Sequence, residues 1–492
     1  DLQTTTDRVV KREMPIDNQW ELGAASVSVE VGTGRVLAMS QNRVFDQNTD
    51  EDPTTTSVNY STDRAYGGSS GFQTGSTYKI FVLAEWLTRG FLLGDRVDAR
   101  KREWNAEEFS ARCGGLVGVW EPQNSNDEKY VNENVLRSTT RSINTSYVSM
   151  AAQLDLCDIR DMATRLGVKR ADGEELSYVP SSVLGTNELS ALSLAGAMAG
   201  FANQGTYCSP IAIDRVVVRG TGQDMRVPVS QCTQAMSPEV AAAATYAFEQ
   251  VITGGTGTRS QINDDIPIAG KTGTSDSSVQ TWMTGYSSEV ATAAWVGNVS
   301  GSVKVDNTSV RGLFGGAVRH EIWRKVMKQA NSIYGGSAFP APPAMYLGAS
   351  KVIMPVINAL LPADAEEFVK LAGLSVKIDK TPVLSLNPIG TIAYADIEPG
   401  TEVIRGSMVT LYVSKGGEVV VPDVAGLSVA DAKAKLLAAG FAAVSEPQLS
   451  QPQYFVNSSN VPKGSVVGTS PAAGTPAEGL GAILLIISKG PN

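Results

Sequence analysis

The feature that most narrows the fold is an internal repeat. After Gly335-Gly336-Ser337-Ala338-Phe339-Pro340-Ala341-Pro342-Pro343, a Pro/Gly-rich break in composition, the chain runs through one pattern twice. Pro355 and Pro422 open equivalent segments at an offset of 67, and Ala363-Asp364-Ala365 returns as Ala430-Asp431-Ala432 at the same offset. Gly373 returns as Gly440, and Ser414-Lys415-Gly416 returns as Ser488-Lys489-Gly490 at an offset of 74. The second copy therefore carries about seven extra residues in its middle loop. Each copy reads as one amphipathic helix (366–371 and 432–439) followed by short strands between Pro/Gly turns. Two small α+β modules in tandem are expected, over 351–416 and 417–490. Their titratable residues are few and scattered, so binding or spacing suits them better than catalysis. The chemistry must lie upstream of the 336–350 linker.

A chain of 492 residues is long enough for two to four domains. With 42% hydrophobic and 18% charged residues it is globular in composition. The longest apolar stretch, Ile80 to Ala84 and its neighbours, is far short of a membrane span. The chain starts at Asp1 without a Met or a signal-peptide pattern and reads as a trimmed or processed product. A net charge of −9 without a Lys/Arg cluster argues against a nucleic-acid partner. Four cysteines lack C-x-x-C spacing, which speaks against a metal site. Their even number fits two disulfides and an oxidising compartment, and fits buried thiols nearly as well. Cys208 and Cys232 flank one short polar, strand-like segment and are the favoured pair; Cys113 and Cys157 remain. The single histidine, His320, lies in a charged stretch resembling the start of an amphipathic helix, where packing or exposure is the better reading. A nucleophile in this chain should therefore rely on a lysine rather than on a histidine.

Residues 24–39 alternate around Gly32-Thr33-Gly34 as a β-hairpin would, and the polar stretch 45–71 reads as a surface loop. From Ser76 onward the run 80–87 is apolar on nearly every face, which predicts a buried central helix. Helices are expected within 130–170 and 188–203, and strands within 278–299. The mixture lacks regular βαβ alternation, so an α+β fold of antiparallel sheet and helices is expected.

Ser76-Thr77-Tyr78-Lys79 is the one Ser-x-x-Lys in the sequence. Positions i and i+3 share a helix face, and a desolvated lysine of lowered pKa can deprotonate a serine. Unpaired N–H groups of the first turn suit an oxyanion. Ser142-Ile143-Asn144 offers a hydroxyl to relay a proton and an amide to hold a peptide carbonyl. Ser57-Val58-Asn59 and Ser458-Ser459-Asn460 match the same pattern, one before the nucleophile and one inside a repeat. In Lys271-Thr272-Gly273-Thr274 the lysine brings positive charge for a substrate carboxylate, the threonines bring donors, and glycine admits a ligand backbone. Strict alternation sets Lys271 opposite both threonines, so all three can serve one pocket only at a twisted edge.

In this order the three motifs resemble the signature of penicillin-binding proteins and serine β-lactamases. Trp120-Glu121-Pro122-Gln123-Asn124 with residues 131–146, and Gly315-Gly316 followed by Ile322-Trp323, are similar to class A penicillin-binding proteins. Residues 2–7 are similar to the linker leaving their glycosyltransferase domain. The repeats, with Val421-Pro422-Asp423-Val424-Ala425-Gly426 and closing Ser-Lys-Gly, look like PASTA modules, an arrangement found in actinobacteria and some firmicutes. The resemblance implies a 1–23 linker, a transpeptidase domain of the serine β-lactamase-like fold over 24–335, and the two modules. It implies Ser76 as nucleophile toward a D-Ala-D-Ala stem peptide, Lys79 as general base, and Ser142 as proton relay to the departing D-alanine. Asn144 would bind the substrate amide, Lys271 would set the electrostatics near Ser142, and Thr272 and Thr274 would hold the terminal carboxylate beside Gly273. The oxyanion hole would be the N–H groups of Ser76 and Thr274. No cofactor is implied. The partners would be peptidoglycan stem peptides, lipid-linked nascent glycan and β-lactams, with muropeptide or divisome and elongasome proteins at the PASTA modules. The site would face the cell wall, with the glycosyltransferase activity and membrane anchor of the full-length protein lying outside this chain. The family usually has proline two residues before the nucleophile, where this chain has Thr74. A D,D-carboxypeptidase, a β-lactamase and a non-catalytic β-lactam or muropeptide sensor are the competing readings.

Overall fold

The computed structural model describes residues 1–47, 54–416, 420–441, 443–476 and 482–491. They form two compact units, Asp1–Ala349 and Ser350–Asn492.

The first unit is built on a five-stranded antiparallel sheet. Its elements in chain order begin with helix α1 (Leu2–Glu13) and strands β1 (Gly23–Glu30) and β2 (Val36–Gln41). Helices α2 (Lys79–Thr88), α3 (Val135–Arg141), α4 (Asn144–Ala151), α5 (Ala191–Ala202) and α6 (Pro238–Gly254) follow. Strands β3 (Ala269–Thr274), β4 (Gln280–Tyr286) and β5 (Val290–Gly297) and helix α7 (Gly315–Tyr334) complete it. The sheet order is β3-β4-β5-β1-β2. The expected hairpin is β1–β2, and the strands expected in 278–299 are β4 and β5.

Both faces of this sheet are covered, so its strands bury nearly every residue rather than alternating with solvent. Ala25, Val27 and Val29 of β1 face one core together with α2, α5 and α6. Ala24, and Met283 and Ala294 of the neighbouring strands, face a second core closed by α1 and α7. Trp295 stacks on Phe72 at 3.6 Å and Tyr60 meets both edgewise, at 5.9 and 6.3 Å. That packing explains why 45–71 is less superficial than its polar composition predicts: Tyr60, Ser61, Thr62 and Asp63 are buried. Residues 48–53 of that stretch lie outside the described residues.

Two segments that read as linkers are also structured. Helix α1 is capped by Asp1, whose carboxylate accepts from Thr4 N at 2.7 Å, and carries Lys11 and Arg12 in its last turn. It buries Leu2, Val9 and Val10 against the second core. In 336–350, Phe339 and Tyr346 pack on the first core, and the Tyr346 and Gly348 carbonyls accept from Leu93 and Gly94 N–H.

The second unit holds the two repeats, each with its own core. Helix Pro362–Leu371 lies on strands Ser375–Val383, Ile392–Ala395 and Met408–Ser414 in the first. Helix Val429–Ala438 and strands Val444–Ser445, Phe455–Val456, Val466–Ser470 and Ile483–Ser488 form the second. Buried Ala365, Val369 and Leu374 correspond to buried Ala432, Leu436 and Phe441, so the sequence offset is an offset of core positions. All four cysteines are paired, Cys113 with Cys157 and Cys208 with Cys232, the latter joining directly opposed residues of neighbouring strands.

Candidate active site

The site is assembled where a helical turn, a helix–helix corner and a sheet edge meet. Residues Gly75–Tyr78 form a 3-10 turn that runs into α2. In such a turn residues i and i+3 eclipse, so Ser76 and Lys79 lie on one side. The turn is held by Gly75 N–H donating to the Gly185 carbonyl at 3.1 Å. Gly75 takes φ +52°, and a Cβ there would run into the Thr274 backbone. Strand β3 thus lies against the nucleophile turn. Gly273 shows the same contact from the other side, since a Cβ on it would meet Thr77 Oγ1 and the Thr74 carbonyl. The glycine assigned to ligand access therefore admits the enzyme's own turn.

Helix α3 ends at Ser142, whose φ of 58° and ψ of 40° are left-handed. A serine held there costs of order 1–3 kcal/mol. The bend carries the chain into α4 so that the Ser142 carbonyl and the Asn144 amide face one point. Lys79 Nζ occupies that point, donating to Ser142 O at 2.7 Å and to Asn144 Oδ1 at 2.6 Å. It lies 3.4 Å from Ser142 Oγ and 5.1 Å from the centre of the Tyr147 ring. Asn144 Nδ2 donates to the Gln123 carbonyl at 2.7 Å, so both ends of this amide are engaged.

Lys271 reaches the same hydroxyl from the sheet. Its Nζ donates to Ser142 Oγ at 2.7 Å and to the Thr272 carbonyl at 3.0 Å. Both lysines are wholly buried. Burial, then the charge of Lys271, pushes Lys79 well below the ordinary lysine range. Burial, then the Arg319 guanidinium, lowers Lys271 to about 7. The Ser142 hydroxyl thus lies between two amines that resist holding protons together.

A cleft of about 530 Å³ opens over this arrangement, lined among others by Ser76, Ser142, Asn144, Thr272, Thr274 and Arg319. Strand alternation is kept: both threonines face the cleft, while Lys271 lies beneath β3 and approaches Ser142 from within. Lys271 hydrogen-bonds the Ser142 hydroxyl and neither threonine hydroxyl. The cation on the threonine side is Arg319 of α7, whose Nη1 donates to Thr274 Oγ1 at 3.3 Å. Thr272 Oγ1 is 2.6 Å from Thr256 Oγ1. Ser76 is half-buried in the cleft wall, and its hydroxyl makes no hydrogen bond among the described residues. The hydrogen bonds of the Lys79 amine go to Ser142 and Asn144.

Arg319, Thr256 and Asn124 escaped the sequence reading of the site. Asn124 Nδ2 donates to Thr145 Oγ1 at 3.0 Å and steadies α4. Only the tertiary packing of α7 brings Arg319 to Thr274, so no local pattern announces it. His320, its neighbour, is buried with Nδ1 2.8 Å from Ser260 Oγ. Burial and the Arg319 and Arg259 charges lower it to about 2, in keeping with a packing role.

The family model described as "Penicillin binding protein transpeptidase domain" matches residues 24–328, and that of the PASTA domain matches 352–415 and 419–489. The chain is similar to penicillin-binding protein 1A of Aquifex aeolicus, 27% identical over 271 residues, covering 55% of this chain and 35% of that protein. It is 26% identical over 315 residues to penicillin-binding protein 1A of Mycobacterium tuberculosis, covering 58% and 35%. The chain thus spans about a third of the length of these relatives. Among solved structures, the penicillin-binding protein PonA1 of Mycobacterium tuberculosis superposes with a TM-score of 0.56 at 23% identity, covering 70% of this chain and 86% of that one. The same protein has been solved in complex with penicillin V, with the same score and coverage.

Proposed function

The chain belongs to the penicillin-binding protein transpeptidase family and carries two PASTA domains, and from that membership we propose that it is a serine D,D-transpeptidase cross-linking peptidoglycan. The observation that carries this reading is the Ser142 hydroxyl held between two buried lysines beside Ser76. Ser76 Oγ attacks the carbonyl of the penultimate D-alanine of a stem peptide, and its proton passes to the neutral amine of Lys79. The N–H groups of Ser76 and Thr274 hold the oxyanion. Ser142 then hands a proton to the departing D-alanine nitrogen and is resupplied by the lysine pair. The C–N bond breaks and the acyl-enzyme remains. The amine of a second stem peptide, with its proton removed through the same relay, takes the acyl group and frees Ser76. Asn144, held by Lys79 and the Gln123 carbonyl, offers the second hydrogen of Nδ2 to a carbonyl of the incoming peptide. No cofactor is required.

β-Lactams acylate Ser76 by the same attack, in line with the penicillin V complex of the structural neighbour. The site works on the wall side of a membrane, reached by stem peptides and lipid-linked glycan. A membrane anchor and a glycosyltransferase region belong to the full-length protein. No helix among the described residues is long and apolar enough to cross a membrane.

The test is intact mass and gel signal after incubation with a fluorescent penicillin, beside Ser76→Ala. A lasting adduct lost in the variant supports the reading, and its absence in the wild type overturns it. Supplying a D-Ala-D-Ala peptide with an amine acceptor then separates the alternatives: an amide product supports transpeptidation, whereas hydrolysis alone identifies a carboxypeptidase.

A further inference from the structure

Arg319 carries a charge that the proton relay does not use. Its Nη1 meets the Thr274 hydroxyl, its Nε is sealed from solvent without a hydrogen-bond partner, and it forms no ion pair among the described residues. Asp306, also on the cleft wall, attracts it through space, and the Arg259 charge opposes it. A half-buried cation with a sealed Nε and no ion pair, standing at the wall of a cleft, favours the arrival of an anion there. The cleft is where one can: Arg319, Thr272 and Thr274 all line it.

The other cations are committed elsewhere. Lys79 is engaged by Ser142 and Asn144, and Lys271 by Ser142 and the Thr272 carbonyl. Arg141, the second arginine of the cleft wall, ends α3 and hydrogen-bonds neither threonine.

We propose that Arg319 is the specificity-determining residue that demands a free carboxylate at the end of the substrate, pairing with it while Thr272 and Thr274 donate their hydroxyls. The requirement is for charge, because a neutral ester or amide leaves the guanidinium uncompensated. The inference rests on the acyl-enzyme reading above.

Benzylpenicillin and its methyl ester are the probes, compared by the rate of adduct formation on the whole chain. Wild-type protein should react with the acid on the order of tenfold to a hundredfold faster than with the ester. Arg319→Ala and Arg319→Gln should bring the two rates within about threefold, by slowing the acid and sparing the ester. Arg319→Lys should keep much of the preference. Arg324→Ala, which removes a cation from the same helix but one paired with Glu321, should keep all of it. A wild-type protein acylated equally by acid and ester overturns this inference alone. Arg319 variants that lose both reactions also overturn it, by making the residue a structural support. Wild-type protein inert toward both probes overturns the acyl-enzyme reading, and this inference with it.

Discussion

Asn144 holds Lys79 by a single short bond, amide oxygen to amine at 2.6 Å. A neutral acceptor in this place lets burial and the Lys271 charge keep the lysine pKa low. Asn144→Asp would set a carboxylate against the amine and favour its charged form, raising the lysine pKa. Acylation near neutral pH should then fall, and its rising limb should move to higher pH. Rates of penicillin acylation from pH 5 to 10 check the shift.

Lys271 should set the opposite limb. It delivers a proton to Ser142 only while charged, and its pKa is lowered to about 7. Acylation should therefore decline as pH rises through that region, and Lys271→Arg should remove the decline. A carboxylate bound at Arg319 neutralises the guanidinium that lowers Lys271, so the limb should sit higher for penicillin than for its ester.

The same lysine makes stability depend on pH. Its folded pKa is below the ordinary 10.5, so between about 7 and 10.5 the unfolded chain binds the extra proton. Stability should rise with pH through that window, and the burial penalty should be fully present below it. Lys271→Met should reduce this slope in thermal melts, leaving the share that Lys79 contributes, while abolishing acylation.

Gly273→Ala should push β3 off the nucleophile turn, because its Cβ meets Thr77 Oγ1 and the Thr74 carbonyl. The expected cost is about 1–3 kcal/mol of stability. Acylation should fall further than stability does, since the oxyanion donors of Ser76 and Thr274 lie on the two surfaces forced apart. Denaturant melts and adduct kinetics on one preparation compare the two losses.

A chain ending at Ala349 should fold and be acylated at the full-length rate, because the first unit holds both of its cores and every residue of the site. Residues 350–492 alone should fold and give no adduct. A truncated chain that melts more than a few degrees lower would show that the first unit draws stability from beyond its own cores.

What could be read from the sequence follows from what locality encodes. Ser76 and Lys79 were legible because one helical turn fixes their relation, and Ser142 and Asn144 because one corner does. The helix 80–87 declared its burial by being apolar all round, and the repeats declared their shared cores by a fixed offset. Arg319 was invisible, since it meets Thr274 only after α7 has packed on the sheet. Lys271 was legible as a motif residue, but alternation alone showed only that it opposed the threonines, not that its amine comes within 2.7 Å of Ser142 Oγ. The stretch 45–71 looked superficial because its three aromatics are scattered among polar residues, and the place of Tyr60 beside Phe72 and Trp295 is a long-range fact. Helix α1 passed for a linker because its apolar stripe is only Leu2, Val9 and Val10 among Thr, Lys and Arg.

That helix separates a boundary of likeness from a boundary of folding. The family model starts at residue 24, yet the second core is closed by side chains from Leu2 to Met14. A transplant of this catalytic unit onto another scaffold, cut where the likeness starts, would strip Leu2, Val9, Val10 and Met14 from the core that α7 shares with them. A swap that carries the first fourteen residues keeps them, so in this chain the exchangeable module is larger than the recognisable one.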